Sequence, residues 1–184
     1  GAGIAIFRVA RQLNRGGVTT YVRVAGDLPT GGPFASGLMY DHPGASGSEW
    51  SAIFEKAYAE FRTGANTYGS LDNGFMTSVY SDLGVASSLY VMPADQNSFY
   101  TTVVNELSVN KAVDVLTQST IVGTAPLVPS HTYSVLGVAK DGSGVVWVTL
   151  RNPWGVDGFN DDSNPNDGIL TISYATLLGN SAYG

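Results

Sequence analysis

The sequence predicts an α+β fold, with helices in the first half of the chain and mostly antiparallel strands around them. Apolar residues recur at helical spacing after residue 50, which is typical of an amphipathic helix packed on a core. Runs of β-branched and aromatic residues lie on both sides of the helical region, separated by turn residues. With 184 residues, 43% of them hydrophobic, the chain is long enough to form a single domain over residues 1–184.

Two strands are predicted at the start of the chain, over residues 4–9 and 18–24, because both runs are rich in β-branched and aromatic side chains. Residues 14–17, with the sequence NRGG, form the predicted turn between them. Residues 26–47 are interrupted too often by glycine and proline for a helix or a strand, so we predict a loop there.

About three helices follow from the spacing of apolar residues. The first follows Ser48, a suitable N-cap, and stops at Gly64. The second spans residues 75–83, and the third spans residues 96–108 with Asp95 as its cap. The apolar stripes of the first and third helices consist of Trp50, Ile53, Phe54, Ala57, Tyr58 and Phe61, and of Phe99, Val103, Val104 and Leu107.

The remaining strands are predicted from short apolar runs. Residues 88–91 and 113–117 form two short strands around the third helix. Residues 133–140 and 145–151 flank a four-residue turn and therefore form a hairpin. A last strand covers residues 169–172 after a long acidic loop.

Composition excludes several classes of function. The formal net charge is −6 and the basic residues do not cluster, which argues against a nucleic-acid partner. No apolar run approaches the length of a membrane span. The chain contains no cysteine, so it supplies neither a disulfide nor a cysteine nucleophile. Its lysine-poor composition, rich in Ser, Thr, Asn and Gly, favours a secreted or cell-surface protein.

The predicted hairpin brings His131 and Asn152 together. A turn centred between Gly142 and Ser143 places Asn152 opposite Tyr133, and His131 lies two residues from Tyr133 on the same face of the sheet. Such diagonal neighbours have β-carbons roughly 7 Å apart, within reach of an imidazole and a carboxamide.

An asparagine oxygen that binds one imidazole nitrogen fixes the tautomer of the ring and leaves the other nitrogen to exchange a proton with a nucleophile. Trp154, two residues after Asn152, is placed to cover the pair. The spacing by itself favours a simpler alternative, in which His131 is a hydrogen-bonded surface histidine and Asn152 a turn residue at a strand end.

Four motifs, in order, carry a resemblance to a known family. They are YVRVAGDLPT at residues 21–30, EKAYA at residues 55–59 with Trp50 upstream, LVPSHTYSV at residues 127–135, and LRNPWG at residues 150–155. Together with their spacing, which covers residues 4–172, they resemble calpain-like cysteine proteases. Ser130 and Thr132 depart from the pattern, because that family usually has glycine before the histidine and alanine after it.

The resemblance implies the second catalytic subdomain of a papain-like fold, a barrel-like antiparallel half that supplies His131 and Asn152, with Trp154 in support. The family's nucleophilic cysteine and oxyanion-hole glutamine belong to a preceding helical half that no segment here matches. The partner implied is therefore a Cys-bearing subdomain or chain, and the substrate is polypeptide. Without the cysteine, this chain alone is expected to be inactive.

The resemblance also raises calcium as a ligand, although the chemistry requires no cofactor. Animal calpains bind calcium in the loop after the asparagine, and residues 157–168 are rich in oxygen ligands. Asp157, Asp161, Asp162 and Asp167 are the candidate ligands. The alternative is a solvated loop of Asx turns.

A second function class stays open. The chain is also compatible with a non-catalytic binding or regulatory module of a larger secreted or surface protein. A Gly-x-Cys-Trp or Gly-x-Cys-Tyr motif at the start of a helix upstream in the gene would favour the protease.

Overall fold

The computed structural model describes residues 4–9, 20–30, 49–64, 67–71, 74–157 and 167–183. The chain divides into two compact units, Gly1–Ser88 and Leu89–Gly184. The assignment of residues 1–184 to one domain stays a prediction. None of the described helices is long and apolar enough to cross a membrane.

The first unit contains an antiparallel pair of strands and two helices. β1 (Ile4–Val9) pairs with β2 (Thr20–Ala25), which confirms both predicted strands. α1 (Trp50–Thr63) and α2 (Met76–Asp82) flank a short 3-10 helix at Tyr68–Leu71. The predicted turn over residues 14–17 and most of the loop over residues 26–47 lie outside the described residues.

The ends of α1 follow from their backbone conformation. Gly64 ends the helix with a φ of 69°, as predicted, since glycine enters the left-handed region at little cost. The N-cap position is held by Glu49, without a side-chain cap, and Ser48 lies outside the described residues. Ala57 packs with β2, but Trp50, predicted to lie in the apolar stripe, is 65% exposed.

The second unit is a curled antiparallel sheet of five strands, in the order β6-β5-β4-β3-β7, with two helices. This half-barrel arrangement confirms the predicted α+β class. Its elements are α3 (Gln96–Ser108), β3 (Asp114–Thr117), β4 (Thr132–Lys140), β5 (Val146–Arg151), β6 (Ile169–Ser173), α4 (Tyr174–Asn180) and β7 (Ser181–Tyr183).

The core of the second unit lies between the sheet and its helices. Phe99 of α3 stacks on Tyr174 of α4, with ring centroids 4.5 Å apart. The predicted Asp95 cap is confirmed, because its carboxylate accepts hydrogen bonds from two backbone N–H groups of the first turn. Fully buried side chains from the strands and α4 complete the core: Val115, Tyr133, Val146, Val148, Leu150, Leu170 and Leu177.

Two sequence predictions are corrected here, and one helix was missed. Residues 88–91 form no strand, and Leu89, Tyr90 and Val91 are exposed, because β-branched and aromatic residues form a strand only where a neighbouring strand pairs with them. Val104, predicted to face inward, is 40% exposed, since its neighbour Val103 occupies the buried face of α3. The short helix α4 was not predicted; the Ser173 hydroxyl caps it.

Candidate active site

The register of the β4–β5 hairpin places His131 and Asn152 on one face of the sheet. Ser134 pairs with Arg151, so Asn152 comes next in line opposite Tyr133, as predicted. Near the turn the pairs are displaced by one residue, as in the pair formed by Lys140 and Val146. A β-bulge between Val135 and Gly137 absorbs the difference. Without the bulge, Asn152 would lie opposite Ser134, on the other face.

His131 and Asn152 share a hydrogen bond. The imidazole Nε2 lies 2.9 Å from the Asn152 Oδ1 atom. The same Oδ1 accepts the Trp154 backbone N–H at 3.0 Å, and the Asn152 amide nitrogen donates to the Val156 carbonyl at 2.7 Å. Because a backbone N–H only donates and a carbonyl only accepts, these two contacts fix the orientation of the carboxamide.

The fixed carboxamide determines the tautomer of His131. Its oxygen faces the ring, so Nε2 must carry the proton and donate it. In the neutral ring, Nδ1 is therefore the nitrogen with the basic lone pair. Burial lowers the pKa of His131, and the hydrogen bond to Asn152 opposes that shift.

Asn152 is held by a tight backbone arrangement at the end of β5. The Asn152 side chain is fully buried. The Asn152 backbone N–H donates to the Gly168 carbonyl at 2.8 Å, and the Asn152 backbone carbonyl accepts from the Gly155 N–H at 3.1 Å. Gly168 has a φ of +81°, and a Cβ there would lie 2.9 Å from the Gly155 backbone. Only glycine permits this close approach.

Trp154 contacts the imidazole as predicted. The two ring centroids are 4.4 Å apart with an interplanar angle of 46°. Trp154 and His131 are both half-buried, so the indole packs against the imidazole while both rings keep some exposure to solvent. Excluding water in this way strengthens the polar contact beneath the ring.

Two residues that sequence reasoning did not assign to the site support His131. Tyr133 is fully buried, and its ring meets the imidazole edge-on at 5.1 Å. Its hydroxyl accepts the Val128 N–H at 2.8 Å, and burial raises the pKa of Tyr133 to about 12. Thr117, at the end of β3, accepts the His131 N–H through its hydroxyl at 2.8 Å.

The backbone conformation of the residue before the histidine explains why the family usually has glycine there. Ser130 has a φ of 50°, in the left-handed region where glycine is favoured. The family's usual glycine at this position therefore matches the backbone conformation, and Ser130 adopts it at a cost. The family's preference for glycine before the histidine was therefore the sequence signal that the backbone enters the left-handed region just before His131.

Of the four predicted calcium ligands, Asp157 and Asp167 lie among the described residues, and the calcium site stays a prediction. Asp157 is buried and accepts the Gly168 N–H at 2.8 Å, whereas the exposed Asp167 accepts the Ile169 N–H at 2.9 Å. Asp161 and Asp162 lie outside the described residues. No group of three or more acidic, histidine or cysteine side chains close enough to hold a metal occurs among the described residues.

A curled antiparallel half-barrel with helices packed on it is the arrangement of one half of a papain-like fold, and here it carries a hydrogen-bonded histidine and asparagine. The comparison of sequences gives the family within that fold class. A sequence model of the calpain family of cysteine proteases matches residues 2–167, and the chain belongs to that family.

Individual relatives agree with this assignment. The chain is 28% identical to calpain-9 of Rattus norvegicus over 84% of its own length and 24% of the relative's. It is 31% identical to the calpain-2 catalytic subunit of Bos taurus, over 70% of its own length and 19% of the relative's. The chain thus spans about a quarter or less of the length of these curated relatives.

Proposed function

We propose that this chain is the half of a calpain-like cysteine endopeptidase that contributes histidine and asparagine, and that it acts on polypeptides together with a Cys-bearing half. The observation that carries this proposal is the 2.9 Å contact between His131 Nε2 and Asn152 Oδ1. The contact assigns one imidazole nitrogen to orientation and leaves the other for proton transfer, which is the division of labour that a thiol protease needs.

In this mechanism, His131 moves the protons and the partner supplies the nucleophile. Nδ1 takes the thiol proton, and the resulting thiolate attacks the substrate carbonyl. The imidazolium then donates its proton to the leaving amine as the peptide bond breaks and a thioester forms. Water, deprotonated by the neutral ring, hydrolyses the thioester, and the thiol regains its proton.

Asn152 and Trp154 act on the ring rather than on the substrate. The Asn152 oxygen keeps the Nε2 proton in place and prevents rotation of the ring, because its own orientation is fixed by two backbone contacts. Trp154 shields that hydrogen bond from water. Burial lowers the pKa of His131, so the imidazole of the chain alone is neutral near pH 7, the form that accepts a proton.

Reconstitution tests the proposal. The chain alone should hydrolyse no peptide, since it has no cysteine. Mixed with a separately produced Cys-bearing half of the family, it should cleave a casein-type substrate. His131→Ala should reduce that turnover by about 10²–10⁴-fold, the usual contribution of general acid–base catalysis.

His42→Ala is the matched control, because it removes the only other histidine of the chain. It should leave turnover within about twofold of the unaltered chain, a factor equivalent to about 0.5 kcal/mol, because the proposed mechanism gives His42 no role. Binding of the Cys-bearing half without turnover, in reducing buffer with or without calcium, would contradict the protease and favour the non-catalytic module. Such a module is favoured by one specific observation, the absence of cysteine from this chain.

A further inference from the structure

We propose that Thr117 is a positioning residue for His131, whose buried hydroxyl fixes the backbone before the imidazole and so aligns the ring with Asn152. Thr117 is 2% exposed. Its hydroxyl accepts the His131 N–H at 2.8 Å and lies 2.7 Å from the Val128 carbonyl, to which it donates. Its backbone N–H donates to the His131 carbonyl at 2.9 Å.

Every backbone N–H in the segment 128–131 has a partner, and two of the three partners lie on the chain at the end of β3. Val128 donates to the Tyr133 hydroxyl at 2.8 Å, and Ser130 donates to the Gln118 carbonyl at 2.8 Å. His131 donates to Thr117, and Pro129 has no N–H. Hydrogen bonds therefore fix the backbone of the whole segment, and the Thr117 hydroxyl binds both of its ends, at the Val128 carbonyl and the His131 N–H.

A side chain is needed here because the strand ladder is interrupted. Ser130, with its φ of 50°, turns the backbone out of the extended conformation just before β4 begins at Thr132. His131 consequently donates to a hydroxyl rather than to a backbone carbonyl of β3. Valine has the shape of threonine but can neither accept that N–H nor donate to Val128, whereas serine can do both.

The position of the ring matters because Asn152 cannot follow it. The carboxamide is held by Trp154 and Val156, and its backbone is bonded to Gly168. A displacement of His131 by about 1 Å would therefore break the 2.9 Å contact instead of dragging Asn152 along. Thr117 thus controls the tautomer of His131 from the neighbouring strand without touching the ring.

This inference deepens the proposed function, since the alignment matters for catalysis only if His131 carries the proton. The test uses no turnover, so the two can fail separately. In the ¹⁵N-labelled 184-residue chain, imidazole nitrogen shifts report the tautomer, and the exchange rate of the Nε2 proton reports its hydrogen bond to Asn152.

Thr117→Val should lower the fraction of the Nε2–H tautomer and speed exchange of that proton by about tenfold, the factor expected for losing roughly one hydrogen bond. Thr117→Ser should restore both signals to within about twofold of the unaltered chain, because it keeps the hydroxyl. Val146→Ala is the control for lost stability: Val146 is fully buried in β5, near the turn and away from His131.

Unchanged signals in a folded Thr117→Val variant would overturn the proposal, as would equal losses in Val146→Ala. If Thr117→Val does not fold, amide exchange in the unaltered chain decides. The His131 amide should be as protected as the Val135 amide, which donates to the Val113 carbonyl at 2.8 Å. Rapid exchange at His131 with Val135 protected would mean that the Thr117 hydroxyl does not hold the segment.

Discussion

Each of the two units holds a polar side chain by hydrogen bonds within a family-like motif, and the two side chains differ in whether a polar atom is left without a hydrogen bond. In the first unit, the Lys56 ammonium has three N–H donors and three acceptors: the Ala25 carbonyl, the Asp27 carbonyl and the Asp27 carboxylate. In the second unit, His131 commits Nε2 to Asn152, and among the described residues no hydrogen bond to Nδ1 is formed.

The comparison distinguishes structure from chemistry. A buried cation whose donors are all satisfied holds β2 and the chain after it against α1, and it has no capacity left for a ligand. A half-buried imidazole with one fixed nitrogen keeps the other for proton exchange. Both side chains belong to motifs of the same family, so membership of a motif does not distinguish a structural side chain from one that can transfer a proton.

The largest expected effect on stability comes from Lys56. Lys56→Met should lower the free energy of unfolding by about 2–3 kcal/mol, because the Ala25 and Asp27 carbonyls lose their charged donor. His131→Ala should cost about 1 kcal/mol or less, since Asn152 Oδ1 keeps the Trp154 N–H. Urea denaturation of both variants measures this difference, and a larger loss for His131→Ala would reverse the comparison.

Tyr133 tests whether the support beneath His131 is structural. Tyr133→Phe should lower the free energy of unfolding by about 1–3 kcal/mol, because the buried Val128 N–H loses its acceptor. Tyr183→Phe, at a side chain that is 37% exposed, is the matched control and should change stability by less than about 0.5 kcal/mol. Thermal or chemical unfolding that does not separate the two variants would show that Val128 finds another partner.

A calcium titration tests whether residues 157–168 of the second unit form a metal site in addition to the candidate active site at His131. We propose that residues 157–168 bind calcium weakly, with a dissociation constant of about 10⁻⁴–10⁻³ M, the weak end of the range for oxygen-ligand calcium sites. Calorimetry at millimolar calcium should give heat that is lost in Asp167→Ala and kept in Glu49→Ala, an exposed control in the first unit. Heat that survives Asp167→Ala would move the site elsewhere.

The smallest expected effect is the pH dependence that His131 contributes. Burial lowers the pKa of His131, so the unfolded chain binds the proton more readily than the folded chain. The free energy of unfolding should therefore fall as the pH decreases below about 6.5, through the pKa of the folded state. Comparing the slope of stability against pH with that of His131→Ala isolates this contribution, and identical slopes would contradict it.

Local signals in the sequence were enough for several elements. The apolar spacing and Asp95 gave the bounds and the cap of α3, because both depend on residues within one helix. The β4–β5 hairpin followed from two β-rich runs around a turn. The EKAYA motif marked α1, although nothing in it indicated that the Lys56 amine binds carbonyls about 30 residues earlier.

The face on which Asn152 lies depends on a feature that only the tertiary structure decided. The turn is centred on Ser143, half a residue later than the sequence suggested, which displaces each pair by one residue, and the bulge between Val135 and Gly137 returns the register to the predicted one at the site. A shift of the strand register by one residue moves every side chain to the other face of the sheet. The sequence therefore determined that the two strands pair, and the packing of the sheet determined which face Asn152 occupies. The turn at Ser130 and the hydrogen bond between Thr117 and His131 could not be predicted from the sequence either. Both depend on how β3 lies beside β4.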